Sequence, residues 1–93
     1  MQEIMIQAKT TIINKLGLHA RAATKFVNTA CQFSSRVEVR CNNKSTDGKS
    51  IMSLMLLAAA KGTDIELVTE GEDQDQAMQA LLDLIAGKFG EEA

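Results

Sequence analysis

The chain has 93 residues, ten Lys or Arg against twelve Asp or Glu, a formal net charge of −2, and neither Trp nor Tyr. That balance supplies no cationic surface for nucleic acid, three Phe give no platform for stacked bases, and no apolar run reaches the length of a membrane span. A chain of this size suits one domain, residues 1–93, with a core just large enough to hold itself, and with no signal peptide in view the expected compartment is the cytoplasm.

From Ile4 to Ile13 the residues alternate. Ile4, Ile6, Ala8, Thr10 and Ile12 fall on one face and Gln7, Lys9 and Thr11 on the other, which predicts a half-buried strand. A Gly-containing turn follows, carrying the only histidine, His19. Ala23, Phe26, Val27 and Ala30 then fall at helical spacing, predicting a helix over about Ala20 to Cys31. Val37, Val39 and Cys41 alternate with Arg36, Glu38 and Arg40 in a second strand, Asn42-Asn43 has turn chemistry, and the polar stretch after it suits a brief third strand. Ser50 is a good N-cap for the apolar run Ile51 to Ala60, a helix that Gly62 should close. Ile65 and Leu67 mark a fourth strand. Gly71-Glu72-Asp73 opens a last helix with acids in its first turn, and Ala77, Leu81, Leu84 and Ile85 form its buried stripe.

The order is β-α-β-β-α-β-α, an α+β arrangement. Helices gathered on one face of a four-stranded antiparallel sheet would leave Gln7, Lys9, Glu38, Arg40 and Glu66 in water. Pattern does not fix strand order, and the generic βαββαβ solution is ferredoxin-like. Cys31 and Cys41 lack CxxC spacing and have one His to join them, so they read as ordinary thiols, with no metal site or disulfide.

Chemistry concentrates at His19. The first N–H groups of a helix lack internal partners and carry partial positive charge, which favours a phosphate or carboxylate. A neutral imidazole there keeps a nitrogen lone pair and can act as a nucleophile. Arg21, two residues on, can neutralise and hydrogen-bond an anion. A lone histidine before a helix can equally be a turn or capping residue. A second clue lies in the middle helix. Leu54, Leu57 and Ala58 suffice to dock it, whereas Ile51, Met52, Met55 and Leu56 extend apolar character around its other sides. Exposed apolar surface of this kind marks partner sites, and methionine suits a surface that fits several partners. Packing against the first helix is the plainer alternative. Gly48-Lys49-Ser50 has the ending of a P-loop, but position 43 would need glycine and is Asn43.

Gly17-Leu18-His19-Ala20-Arg21-Ala22-Ala23 resembles the active-site signature of the HPr phosphocarriers of the bacterial phosphotransferase system. Asp47-Gly48-Lys49-Ser50-Ile51-Met52 resembles that family's second signature, and Ala60-Lys61-Gly62-Thr63 the loop before its last strand. The resemblance runs from about Thr10 to Phe89. Ile12 to His19 and the ending Phe89-Gly90-Glu91-Glu92 are also similar to the nitrogen-related branch, NPr, as an alternative to sugar uptake.

The resemblance implies an HPr-like open-faced β-sandwich with three helices on one face and the first and last strands as neighbours. It implies a carrier, not an enzyme, needing no cofactor: His19 accepts a phosphoryl group from an enzyme I-type protein charged by phosphoenolpyruvate and passes it to an enzyme IIA-type protein, with Arg21 stabilising the phosphate. Ala20, Ile51, Met52 and Met55 would form the docking face, with the start of the middle helix beside His19. Ser50 would be a regulatory phosphorylation site for an HPr kinase, where a charge of about −2 beside the docking patch should weaken partner binding. A monomer is expected, with no nucleic acid and no membrane partner. Two features depart from the family pattern. Ala22 stands where proline is usual, and among residues flanking the docking face only Lys25 and Lys49 are basic, Asn28, Cys31 and Ser53 being neutral. The competing readings are a non-covalent anion-binding regulatory module, with His19 and Arg21 holding a small anion, and a plain adaptor using the methionine patch alone.

Overall fold

The computed structural model describes residues 4–93, so the first three positions of the expected 1–93 domain lie outside the described residues. Strands β1 (Ile6–Thr11), β2 (Arg36–Cys41), β3 (Lys44–Asp47) and β4 (Asp64–Glu70) form one antiparallel sheet in the order β1-β4-β2-β3. Helices α1 (Ala20–Ala30), α2 (Ile51–Leu56) and α3 (Gln74–Ala86) cover one face, and a single 3-10 turn, Lys88–Gly90, follows. The first and last strands are neighbours, paired from Ile6 opposite Thr69 to Thr11 opposite Asp64.

Alternation explains the layers. Val37, Val39, Cys41, Ile65 and Leu67 point into the core, where they meet Ala23, Phe26 and Ala30 of α1, Leu54 of α2 and Ala77, Leu81 and Ile85 of α3. Stripes of this kind are what hold two layers together. The opposite face carries charge. Glu38 bridges Arg36 at 2.8 Å and Arg40 at 2.7 Å, and Arg36 reaches Glu70 at 3.0 Å. Asn42 and Asn43 both adopt left-handed backbone, φ 50° and 67°, in the two-residue link between β2 and β3.

Three expectations are corrected. The first strand does not begin at Ile4, which is 79% exposed; the apolar alternation takes hold only at Ile6. Helix α2 does not reach Ala60 and is not closed by Gly62. It ends at Leu56, and Ala58 turns into left-handed backbone at φ 53°. The residues beyond are drawn into tertiary bonds: Ala59 O accepts from Leu18 N at 2.9 Å, and Gly62 N donates to Ile12 O at 2.7 Å. Propensity for helix yields there to contacts that the sequence does not display locally. In consequence Ala58 is exposed and Leu54 alone of α2 is buried. In α3, Met78 is buried and Leu84 is half-buried.

Asp73 precedes α3 without capping it by its side chain. Its carboxylate instead accepts from Ser34 N at 2.9 Å and Ser35 N at 3.0 Å, and from the Ser35 hydroxyl. That clamp joins the start of α3 to the α1–β2 connection, and the Ser35 hydroxyl and the two N–H groups hold the carboxyl below its ordinary range.

Candidate functional site

Asn14 to Gly17 make a turn, closed by Gly17 N donating to Asn14 O at 3.2 Å. Gly17 is left-handed at φ 68° and lies directly against the backbone of Ala59 and Ala60. Leu18, buried, fixes the next residue's position. His19 follows in extended conformation, φ −75° and ψ 178°, as the N-cap of α1, and its side chain does not cap the helix. The first intrahelical bond runs from Ala23 N to His19 O at 2.8 Å. The N–H groups of Ala20, Arg21 and Ala22 therefore have no partner within the helix. Ala22 lies within α1 and is fully buried, and the helix begins at Ala20 with no proline in its first turn.

The imidazole is partly exposed and Nε2 lies 2.5 Å from Oε2 of Glu91. A carboxylate only accepts, so Nε2 carries the proton in this pair, and in the neutral ring the lone pair falls on Nδ1. Glu91 is in turn bonded through Oε1 to Nδ2 of Asn14 at 3.0 Å. The Asn14 amide, then the His19 ring, hold the Glu91 carboxyl below its usual range, and the Arg21 charge adds to this. Arg21 itself is exposed, at the first turn of α1, on the side of the chain where Glu91 lies.

Ser50 occupies the N-cap of α2, its Oγ accepting from Ser53 N at 3.3 Å. The docking candidates are all exposed: Ala20 on α1, and Ile51 (38%), Met52 (66%) and Met55 (38%) on α2. The start of α2, however, is tied to the far end of α1. Gly48 N donates to Val37 O at 2.8 Å and Lys49 Nζ to Phe33 O at 2.8 Å. It is the segment leaving α2, through Ala59, that touches the His19 turn. Helix α1, eleven residues and so about 16 Å long, separates the two ends. The segment entering α2 is thus anchored beyond the C-terminal end of α1, and the segment leaving it at the His19 turn. Nor are the two flanking lysines free: Lys25 Nζ donates to Phe89 O at 2.7 Å, and Lys49 is held as just described.

Asn14 and Glu91 are the site residues that sequence reasoning missed. Glu91 lies 72 positions from His19, so no local pattern connects them. Asn14 was visible only as one of two adjacent polar residues, with Lys15, in the turn before His19. Cys31 is exposed and Cys41 buried, and among the described residues no cluster of three or more His, Cys, Asp or Glu is placed to hold a metal. No helix among them is long and apolar enough to cross a membrane.

Comparison with known proteins adds to this geometry. A family model described as "PTS HPr component phosphorylation site" matches residues 6–87. The "Phosphocarrier protein HPr" of Neisseria meningitidis is 61% identical over 87 residues, covering 94% of this chain and 98% of its own length. That of Pseudomonas aeruginosa is 57% identical over 82 residues, covering 87% and 91%. The crystal structure of HPr-C-His from Thermoanaerobacter tengcongensis superposes with a TM-score of 0.91 at 46% identity, covering 95% of this chain and 99% of that one.

Proposed function

The chain belongs to the HPr family of phosphocarrier proteins of the phosphotransferase system, and from that premise we propose that His19 takes a phosphoryl group from an enzyme I-type protein charged by phosphoenolpyruvate and hands it to an enzyme IIA-type protein. The chain is a carrier and not a catalyst. The observation that carries the role of His19 is its ring, with Nε2 held by Glu91, at the open N-terminus of an eleven-residue helix. Nδ1 is then the nitrogen with a lone pair to offer. As the Nδ1–phosphorus bond forms, the bond from phosphorus to the donor breaks. Onward transfer is the reverse exchange with the acceptor.

The phosphoryl oxygens are met by the unpartnered N–H groups of Ala20, Arg21 and Ala22 and by the Arg21 guanidinium. This stabilisation has to be modest, because a carrier that held phosphate tightly would not release it. Partners dock on Ala20, Ile51, Met52 and Met55, whose exposed apolar surface a two-layer fold has no other use for. Ser50 is a regulatory position: phosphate at a helix N-cap would cost the fold little and would add about two negative charges to the docking side of α2. The protein acts as a cytoplasmic monomer of one HPr-like domain.

The test is to incubate the protein with phosphoenolpyruvate and an enzyme I-type protein, then map the phosphate by peptide fragmentation under alkaline conditions. Label confined to His19 is the expected result, and label elsewhere would overturn the assignment.

A further inference from the structure

Asn14 is fully buried, and its carboxamide is used unevenly. Nδ2 donates twice, to Gly17 O at 2.9 Å and to Glu91 Oε1 at 3.0 Å, whereas Oδ1 has no hydrogen-bond partner. A buried oxygen left unpaired is costly. The turn around it is already closed by the backbone bond from Gly17 N to Asn14 O. An apolar side chain of similar size would fill the same space without an orphaned oxygen. What only the carboxamide supplies is the pair of N–H bonds, one to Gly17 O inside the turn and one reaching across the chain to Glu91.

Glu91 is gripped at both oxygens, Oε1 by Asn14 and Oε2 by His19. The chain that carries it is itself built against the His19 side. Phe89 is buried, its carbonyl takes the Lys25 ammonium at 2.7 Å, and Lys15 N donates to Ala93 O at 2.9 Å. Lys88 and Phe89 both hold left-handed backbone, φ 58° and 56°, a conformation that non-glycine residues adopt at a cost. Strained backbone, a buried aromatic anchor and an orphaned amide oxygen all have one result in common: a carboxylate fixed on Nε2 of His19.

We infer that Asn14 and Glu91 are positioning residues for phosphoryl transfer, Asn14 orienting the Glu91 carboxylate and Glu91 holding His19 through Nε2–H. The inference rests on reading His19 as the phosphoryl acceptor. When the Nδ1–phosphorus bond forms and the donor–phosphorus bond breaks, the ring gains positive charge. The Glu91 carboxylate lies against that charge, and the Nε2 proton stays where it is. When phosphorus leaves for the acceptor, the ring returns to its neutral form with the same proton on Nε2. The logic is that of a base whose far nitrogen is oriented by a carboxylate, itself oriented by a buried donor.

The test uses the full chain as Glu91→Ala, Asn14→Ala and the double variant. Two readouts are taken: the ring N–H signals of His19 by nitrogen-15 NMR, and the rate of phosphoryl uptake from an enzyme I-type protein charged with phosphoenolpyruvate. Wild type should show a downfield Nε2–H signal protected from exchange with water. Glu91→Ala should lose it and slow uptake about tenfold, at the low end for loss of an orienting partner. Asn14→Ala should broaden the same signal and slow uptake, but should have little further effect when Glu91 is already alanine. A protected Nε2–H signal or unchanged uptake in Glu91→Ala would overturn the inference, as would an Asn14 effect of equal size in both backgrounds. Asn14→Ser enters the same cycle if the alanine variant does not fold, and the Glu91→Ala outcome decides without either. Normal uptake in Glu91→Ala alongside none in His19→Ala would sink this inference alone, while uptake in His19→Ala would sink the reading beneath it.

Discussion

Gly17 lies so close to Ala59 that a Cβ on the glycine would sit 2.5 Å from the Ala59 carbonyl oxygen and 2.9 Å from the Cα of Ala60. Two segments far apart in the chain, the turn before His19 and the exit from α2, meet there backbone to backbone. Both obstacles are main chain and cannot swing away. Gly17 also holds φ 68°, where any side chain is strained. Gly17→Ala should therefore cost about 2 kcal/mol or more in a denaturant titration. It should also slow phosphoryl uptake, because the turn that places His19 has to shift. Wild-type stability in that variant would mean the two segments part without penalty.

Met52 tests whether docking uses α2. At 66% exposure it stands clear of Leu54, so Met52→Asp should change stability by no more than ~0.5 kcal/mol. The same change should raise KM for the donor protein and leave the lifetime of phosphohistidine unaltered, since Met52 carries no group for that chemistry. A large fall in melting temperature would place Met52 in the core. An unchanged KM would move the docking face away from the first turn of α2, toward Met55 and Leu56 at the end nearer the His19 turn.

Period-2 and period-3.6 patterns were enough to locate β1, β2, β4 and the three helices, which show their apolar faces in sequence, whereas β3, with no buried residue, was placed from the Asn42-Asn43 turn before it. The neighbouring of β1 and β4 was not legible from pattern. It depends on which edges the crossovers reach, and it came from the family resemblance. The length of α2 was misjudged for a related reason. Ala58, Ala59 and Ala60 are good helix formers, but Ala59 O is taken by Leu18 N, and no local signal announces that bond. His19 and Arg21 were readable because a helix start shows itself locally. Asn14 and Glu91 were not, because their pairing joins two ends of the chain.

Glu38 sets a pH prediction. The Ser45 hydroxyl, then Arg40 and Arg36, lower its carboxyl from 4.5 to about 2. In the unfolded chain it would take up a proton near its ordinary value, so the folded state gains from its ionisation above that point. Its contribution to stability should be complete above about pH 4.5 and fall away as pH drops toward 2. Glu38→Gln should lower the melting temperature at neutral pH and narrow the gap to wild type across that acid window. A gap that widens on acidification would contradict the pairing.

Arg21→Lys keeps a positive charge but loses the planar fork that can grip two phosphoryl oxygens at once. It should lower the maximal transfer rate about tenfold, the loss of one charge-assisted hydrogen bond, with a smaller effect on KM. Loss confined to KM would make Arg21 a docking residue.

Histidine as the transient phosphate carrier is the central claim, and one two-stage assay addresses it. Wild type and His19→Ala are incubated with labelled phosphoenolpyruvate and an enzyme I-type protein, freed of donor, and then given an enzyme IIA-type protein. His19 is partly exposed and Ala20 to Ala30 form a helix without it, so the variant should fold. Wild type should gain phosphate that is labile in acid and stable in alkali, and should pass it to the acceptor. His19→Ala should gain none. Acid-labile phosphate on the His19→Ala protein, or wild-type phosphate that never reaches an acceptor, would contradict the account.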